Sequence, residues 1–316
     1  MKTLSKLPAL LILSTALAAG AARAGVVEIN IGGANLYSLG NFNPTGAEVQ
    51  GSLLVGKDMN AASYTVNKNN KDAFGSSGYA LVVGGNLSYN SGSIQNGSYY
   101  AGGTTNITSN TGLDTATKSS TSPVSFADLS TTMKSTSTAL AAVAKTGATT
   151  VQYGGMTLTG GSGNVQVFDI KSTDLAAVNY FNFANLSAKE TLILNVSGTN
   201  VKMQGGGSFG NYNVLYNFYE ATTLDFSSVA LYGTVLAPLA TVTSSGGDIH
   251  GSAVVGNWAS STTLHADAGT AFQATDVTGF AAAVSPVPEP GTYAMLLAGL
   301  GLVGFAVRRR KHKAAA

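Results

Sequence analysis

The hexapeptide Gly51-Ser52-Leu53-Leu54-Val55-Gly56 returns late in the chain as Gly251-Ser252-Ala253-Val254-Val255-Gly256, and a looser copy, Tyr79-Ala80-Leu81-Val82-Val83-Gly84, lies between them. Each copy is a short aliphatic run closed by glycine. A run this short between turn residues reads as a buried strand rather than a helix. The closing glycine permits the sharp corner the next strand needs. Polar residues follow each corner: Lys57-Asp58, Gly85-Asn86 and Asn257. Repetition of one strand-and-corner unit predicts stacked, coiled β structure. The copies are unevenly spaced, so the expected fold is an irregular right-handed β-helix or solenoid-like body with segments inserted between coils.

Composition supports a turn-rich β body. The chain has 316 residues, 39 of them glycine, and only 10% are charged. Gly, Ser, Thr and Asn separate short apolar runs, as in all-β folds. The net charge of +2 hides an asymmetry, because basic residues cluster at the two ends. Between them the body holds nine lysines against fourteen acids, a net of −5. A mildly acidic, dispersed surface argues against nucleic-acid binding. With no cysteine, disulfides, thiol catalysis and thiolate metal sites are excluded.

Residues 1–24 have the parts of a secretory signal peptide. Lys2 and Lys6 precede an apolar stretch, and Ala22-Arg23-Ala24 places small residues where a signal peptidase reads them. Cleavage is expected after Ala24. At the other end, Val287-Pro288-Glu289-Pro290 precedes an apolar run at 292–307 and then Arg308-Arg309-Arg310. That run predicts a transmembrane helix, slightly short for a hydrocarbon core of ~30 Å. The basic residues after it put the C-terminus inside and the body outside. Gly299-Leu300-Gly301-Leu302-Val303-Gly304 matches the dinucleotide fingerprint but follows no strand, so the match is rejected.

The tail resembles the PEP-CTERM sorting signal, whose motif residues here are Val287, Pro288, Glu289, Pro290, Arg308, Arg309 and Arg310. The resemblance implies a Gram-negative bacterium, export, and recognition by an exosortase-type membrane protease in a species that makes extracellular polysaccharide. The expected organisation is a signal peptide at 1–24, a β domain at 25–284 and a sorting tail at 285–316.

Within the body one long helix is expected, Phe126 to Lys145. Ser125 and Asp128 have the form of a capping box, and Phe126, Leu129, Met133, Leu140, Val143 and Ala144 fall on one helical face. The helix is read as packed along an open sheet face. Elsewhere the pattern is strand and turn, with Thr149 to Thr159 extended. The body resembles the choice-of-anchor A domain of bacterial surface proteins through Leu36 to Met59 and Val214 to Trp258, including Asn217-Phe218 and Gly233-Thr234-Val235-Leu236-Ala237-Pro238. That resemblance implies a β-helix-like adhesive domain with no catalytic residues.

Chemistry-bearing patterns are sparse. Asp248-Ile249-His250 puts an acid and a histidine on one strand face, and His265 is the other body histidine. A turn-entry Asp with a polar-face His is the commoner meaning of such a pair, so no metal, cofactor or catalytic residue is assigned. Thr157/Thr159 and Thr241/Thr243 present threonines two apart, as ice-binding faces do, but two isolated pairs fall short of a ranked series. Trp258, Tyr232, Tyr219 and Tyr216 are candidates for a sugar-stacking platform, with core packing the equal alternative. The expected function is a non-enzymatic, exported surface or extracellular-matrix protein that is adhesive or retained in polysaccharide, anchored to the membrane by its C-terminal helix. An ice- or carbohydrate-binding module is the first rival, and a polysaccharide-degrading enzyme the second.

Overall fold

The computed structural model describes residues 24–69, 78–108 and 116–281. All belong to the first of two units into which the chain divides, Met1–Ala282; the second, Ala283–Ala316, lies outside the described residues. So do the predicted signal peptide up to residue 23 and the whole sorting tail.

The body is mainly β. Its 16-stranded sheet is built from parallel pairs and folds around one core as a stack with three sides. On the first side the rungs run Ser98–Ala101, Tyr79–Val83, Leu53–Val55, Leu36–Ser38, then the middle of Asp248–Trp258 and of Ala230–Val242, then Asn213–Asn217, Thr191–Ser197 and Val165–Lys171. The order is not that of the chain. The N-terminal coils climb away from Leu36–Ser38, the chain crosses to the far end, and the C-terminal coils climb back until Asp248–Trp258 docks on Leu36–Ser38. This docking is a seam between the first and last coils. Asn35 bridges it: its amide nitrogen donates to the carbonyls of Gly251 and His265, and its Oδ1 accepts from the Gly51 N–H at 3.0 Å.

The seam explains the repeated hexapeptide. Val82 pairs with Leu54, Leu54 with Tyr37, and Tyr37 with Val254. All three copies therefore occupy neighbouring rungs of one side. Their middle residues point outward and their flanking residues inward, yet both sets are buried. The outward set belongs to a second apolar cluster that includes Met133 and Leu140 of helix α1, Phe126–Ala141, together with Val27, Ile31, Phe272 and Val277. A strand buried on both faces needs an unbroken apolar run, which is what the hexapeptides supply. The corner glycines are required by close stacking: a Cβ on Gly84 would lie 2.5 Å from the Gly56 carbonyl oxygen, and one on Gly56 would meet that of Leu39.

Helix α1 starts as expected, with the Ser125 hydroxyl accepting from the Asp128 N–H at 3.4 Å. It ends earlier than expected, at Ala141 and not Lys145. The Ala142 N–H bonds to the Ala139 and Leu140 carbonyls, which tightens and closes the last turn. Val143 still reaches the core, but Ala144 is exposed. The docked face is also more polar than predicted. Thr136 and Ser137 are buried beside Met133 and Leu140. The Ser137 hydroxyl donates to Asn217 Oδ1 at 2.6 Å. Asn217 Nδ2 donates to the Ser137 carbonyl and to Asn195 Oδ1, and Asn195 Nδ2 to the Leu140 carbonyl at 2.8 Å. A polar ladder on two rungs thus satisfies the helix where apolar packing stops.

Two expectations are corrected. The stretch Thr149 to Thr159 is a hairpin, with Ala148–Gln152 antiparallel to Gly155–Thr159. Tyr153 and Gly154, both at positive φ, form its two-residue turn, the geometry that suits the strand twist. The fold class also loses its transmembrane element, because no helix among the described residues is long and apolar enough to cross a membrane. Helix α1 spans about 24 Å at ~1.5 Å per residue and carries a Ser/Thr-rich exposed side. The helix expected at 292–307 lies outside the described residues and is not part of the fold described.

Candidate functional site

The second side of the stack carries a continuous polar row. Asn200 pairs with Thr223, Thr223 with Thr241, and Thr241 with Asn257. The row crosses the seam through the Phe42 bridges to Trp258 and Met59, which place Asn41 between Asn257 and Asp58. It continues through Asn86 to Thr104, set by the pairing of Met59 with Leu87 and of Leu87 with Thr105. Every member is exposed or half-exposed. Each side chain from Asn257 onward accepts from the backbone of the next rung. Asn257 Oδ1 takes the Asn41 N–H at 2.9 Å, Asn41 Oδ1 the Asp58 N–H at 3.3 Å, Asp58 Oδ1 the Asn86 N–H at 2.7 Å, and Asn86 Oδ1 the Thr104 N–H at 2.9 Å. These are the polar residues that follow the corner glycines. The bonds satisfy corner N–H groups the strand ladder cannot reach and fix the side chains in rank.

A second outward row, including Thr243, Asn43, Asn60, Ser88 and Asn106, lies two residues further along the same strands. Rungs ~4.8 Å apart and rows ~6.6 Å apart make a grid of amides and hydroxyls with few charges. Beneath it the inward residues Val201, Leu224, Val242, Trp258, Phe42, Met59 and Leu87 are buried, so the grid sits on a rigid floor.

The third side brings together residues the sequence scatters. Tyr232 pairs with His250, and His250 with His265. Their rings stack, Tyr232 to His250 at 4.5 Å and His250 to His265 at 4.3 Å, nearly parallel. His250 Nδ1 lies 2.6 Å from Asp267 Oδ2, and His265 Nε2 lies 3.1 Å from Asp248 Oδ1. The sequence alone pairs Asp248 with His250; their partners lie one coil on, where Asp-x-His at 248 and 250 is mirrored by His-x-Asp at 265 and 267.

Other sequence candidates separate. Trp258 and Tyr216 are fully buried, so they form no sugar-stacking platform with Tyr232 and Tyr219. Thr157 and Thr159 belong to a separate three-stranded sheet, whereas Thr241 and Thr243 lie on the polar grid. The sorting-signal residues Val287, Pro288, Glu289, Pro290, Arg308, Arg309 and Arg310 lie outside the described residues.

Residues 31–266, from the first coil to the last, match the family model of the Putative Ice-binding-like adhesive domain. The chain belongs to this family. Both segments that carry the surface-protein resemblance, Leu36 to Met59 and Val214 to Trp258, fall inside the match. Residues 286–311 match the PEP-CTERM protein-sorting motif, as read from the tail. No curated protein and no solved structure matches the chain. An adhesive-family domain joined to this motif makes the chain an exported surface protein, processed at the membrane by an exosortase-type enzyme in a Gram-negative bacterium.

Proposed function

We propose that this adhesive-family domain is a non-enzymatic adhesin, displayed at the cell surface or in the extracellular matrix, and that its polar grid binds extracellular polysaccharide. The observation that carries the reading is the row from Asn200 to Thr104, in register across the seam and open to solvent. Ranked amides and hydroxyls on a rigid sheet meet a repeating chain of hydroxyls with little loss of side-chain freedom, since the neighbouring rungs already hold them. One weak contact per rung, repeated along a polymer, sums to useful avidity. Asparagine dominates the row and consecutive threonines occur only at Thr223 and Thr241, which favours a sugar polymer over an ice lattice.

The test is co-sedimentation of the full-length chain with polysaccharide isolated from an exosortase-bearing host. Thr241→Arg combined with Asn60→Arg, which places bulk and charge on both rows, is expected to weaken retention at least tenfold. Thr138→Arg, on the exposed side of α1, should leave retention unchanged. Absence of wild-type binding, equal binding by the grid variant, or release of reducing ends from the polymer would overturn the reading. Inhibition of ice recrystallisation without polysaccharide binding would replace it.

A further inference from the structure

We propose that His250, His265 and Asp267 form a site for a zinc-type divalent cation, separate from the polar grid. Each residue offers one ligand atom, and these atoms all lie within 4.8 Å of one another. The two histidines sit in register on adjacent rungs, so backbone pairing sets their separation before any ion arrives. Asp267 follows His265 by two residues, and its carboxylate already touches the His250 ring. A four-coordinate ion with bonds of ~2.0–2.2 Å needs ligand atoms ~3.4 Å apart. The two rings now lie nearly parallel with centroids 4.3 Å apart, so closure takes a rotation of both rings out of their stack that turns the two lone pairs towards one point.

The environment fits a metal better than it fits a stacking role. Tyr232 and His265 cover the two faces of His250, so that ring is not offered flat to a ligand. The side chains are partly open to solvent, His250 21%, His265 24% and Asp267 46% exposed, which leaves room for water at a fourth position. Asp248, 3.1 Å from His265 Nε2, is placed to orient that ring, as carboxylates do behind metal-bound imidazoles. Two imidazoles with one carboxylate select zinc or copper(II) over calcium and magnesium, which prefer oxygen ligands.

The bound ion would clamp the segment after strand Thr263–His265 onto strand Asp248–Trp258. The His265 carbonyl on that clamp accepts from Asn35, so the ion would tighten the last coil beside the seam.

The test uses the full-length chain, freed of metal by a chelator, and zinc ion alone as the probe. Calorimetry is expected to show one zinc per chain, with affinity falling at least tenfold in His265→Gln and in Asp267→Asn. His312 is the remaining histidine of the chain, and His312→Gln should bind like the wild type. Zinc should raise the unfolding midpoint of the wild type, whereas calcium should not. Cobalt(II) in place of zinc should give the visible bands of a four-coordinate ion, and this reading on the wild type does not depend on any variant folding. No saturable zinc binding, binding retained in His265→Gln and Asp267→Asn but lost in His312→Gln, or a six-coordinate cobalt spectrum would each overturn the site.

Discussion

Four tyrosines show what enclosure costs a single side chain. Burial pushes the Tyr37 phenol up to about 12 and also raises Tyr64, Tyr89 and Tyr216 above the usual phenol value. Removing a phenolate from water is unfavourable, so the neutral form is held. The folded state then keeps protons that the unfolded chain would release near pH 10. Stability from these groups is complete below pH 10 and drains away as pH rises from 10 through 12 and beyond. Alkaline unfolding is therefore expected to begin above about pH 10, with the last part of the phenolate absorbance near 295 nm, that of the enclosed rings, appearing together with loss of far-ultraviolet circular dichroism. Ionisation of all 13 phenols completed before any unfolding would show the enclosed rings to be reachable. The sequence placed Tyr216 and Trp258 equally in the core or on a platform, because an aromatic in a strand suits either side. Only rung registry, which sets Trp258 against Phe42 at 6.2 Å, decides it. The same holds for Asp267, whose partner His250 is 17 residues away along the chain and one coil away in space.

At the scale of the element, α1 is held by two kinds of bond. Its cap and apolar residues were legible because Ser125 precedes a 3.6-residue pattern. Thr136 and Ser137 were not, since hydropathy assigns hydroxyls to the solvent side and their acceptors lie on strands far away in the chain. Asn217→Ala would leave the Ser137 hydroxyl and Asn195 Oδ1 without their partner inside a buried contact. It is expected to cost about 1–3 kcal/mol in urea unfolding. Thr138→Ala, on the exposed side, should stay within about 0.5 kcal/mol. Equal losses would mean that the helix does not dock through the asparagine ladder.

The whole molecule depends on its seam. The hexapeptides announced buried strands, but nothing in their spacing told that the first and last copies flank one strand, because that adjacency follows from the chain's return path. Val255 pairs with Ser38, and Ser38 with Val55, inside the core. Val255→Asp sets an unpaired carboxylate there, at a cost of several kcal/mol against a total stability of about 5–15 kcal/mol. The variant is expected to lack a cooperative transition and to lose the blue-shifted emission of Trp258, the single tryptophan, which lies at the seam. A variant that keeps that emission would show that Val255 is not enclosed at the seam. Elsewhere Ala24–Val27 runs antiparallel to Thr275–Thr278 with Ala24 opposite Thr278. The start of the first strand and the exit of the last thus lie side by side. A sideways pull on the chain after residue 281 loads these pairs one at a time, beginning with Ala24 and Thr278, and not all together. Such a joint opens like a zip, and the chain lengthens by these few residues before tension reaches the coils that hold the grid.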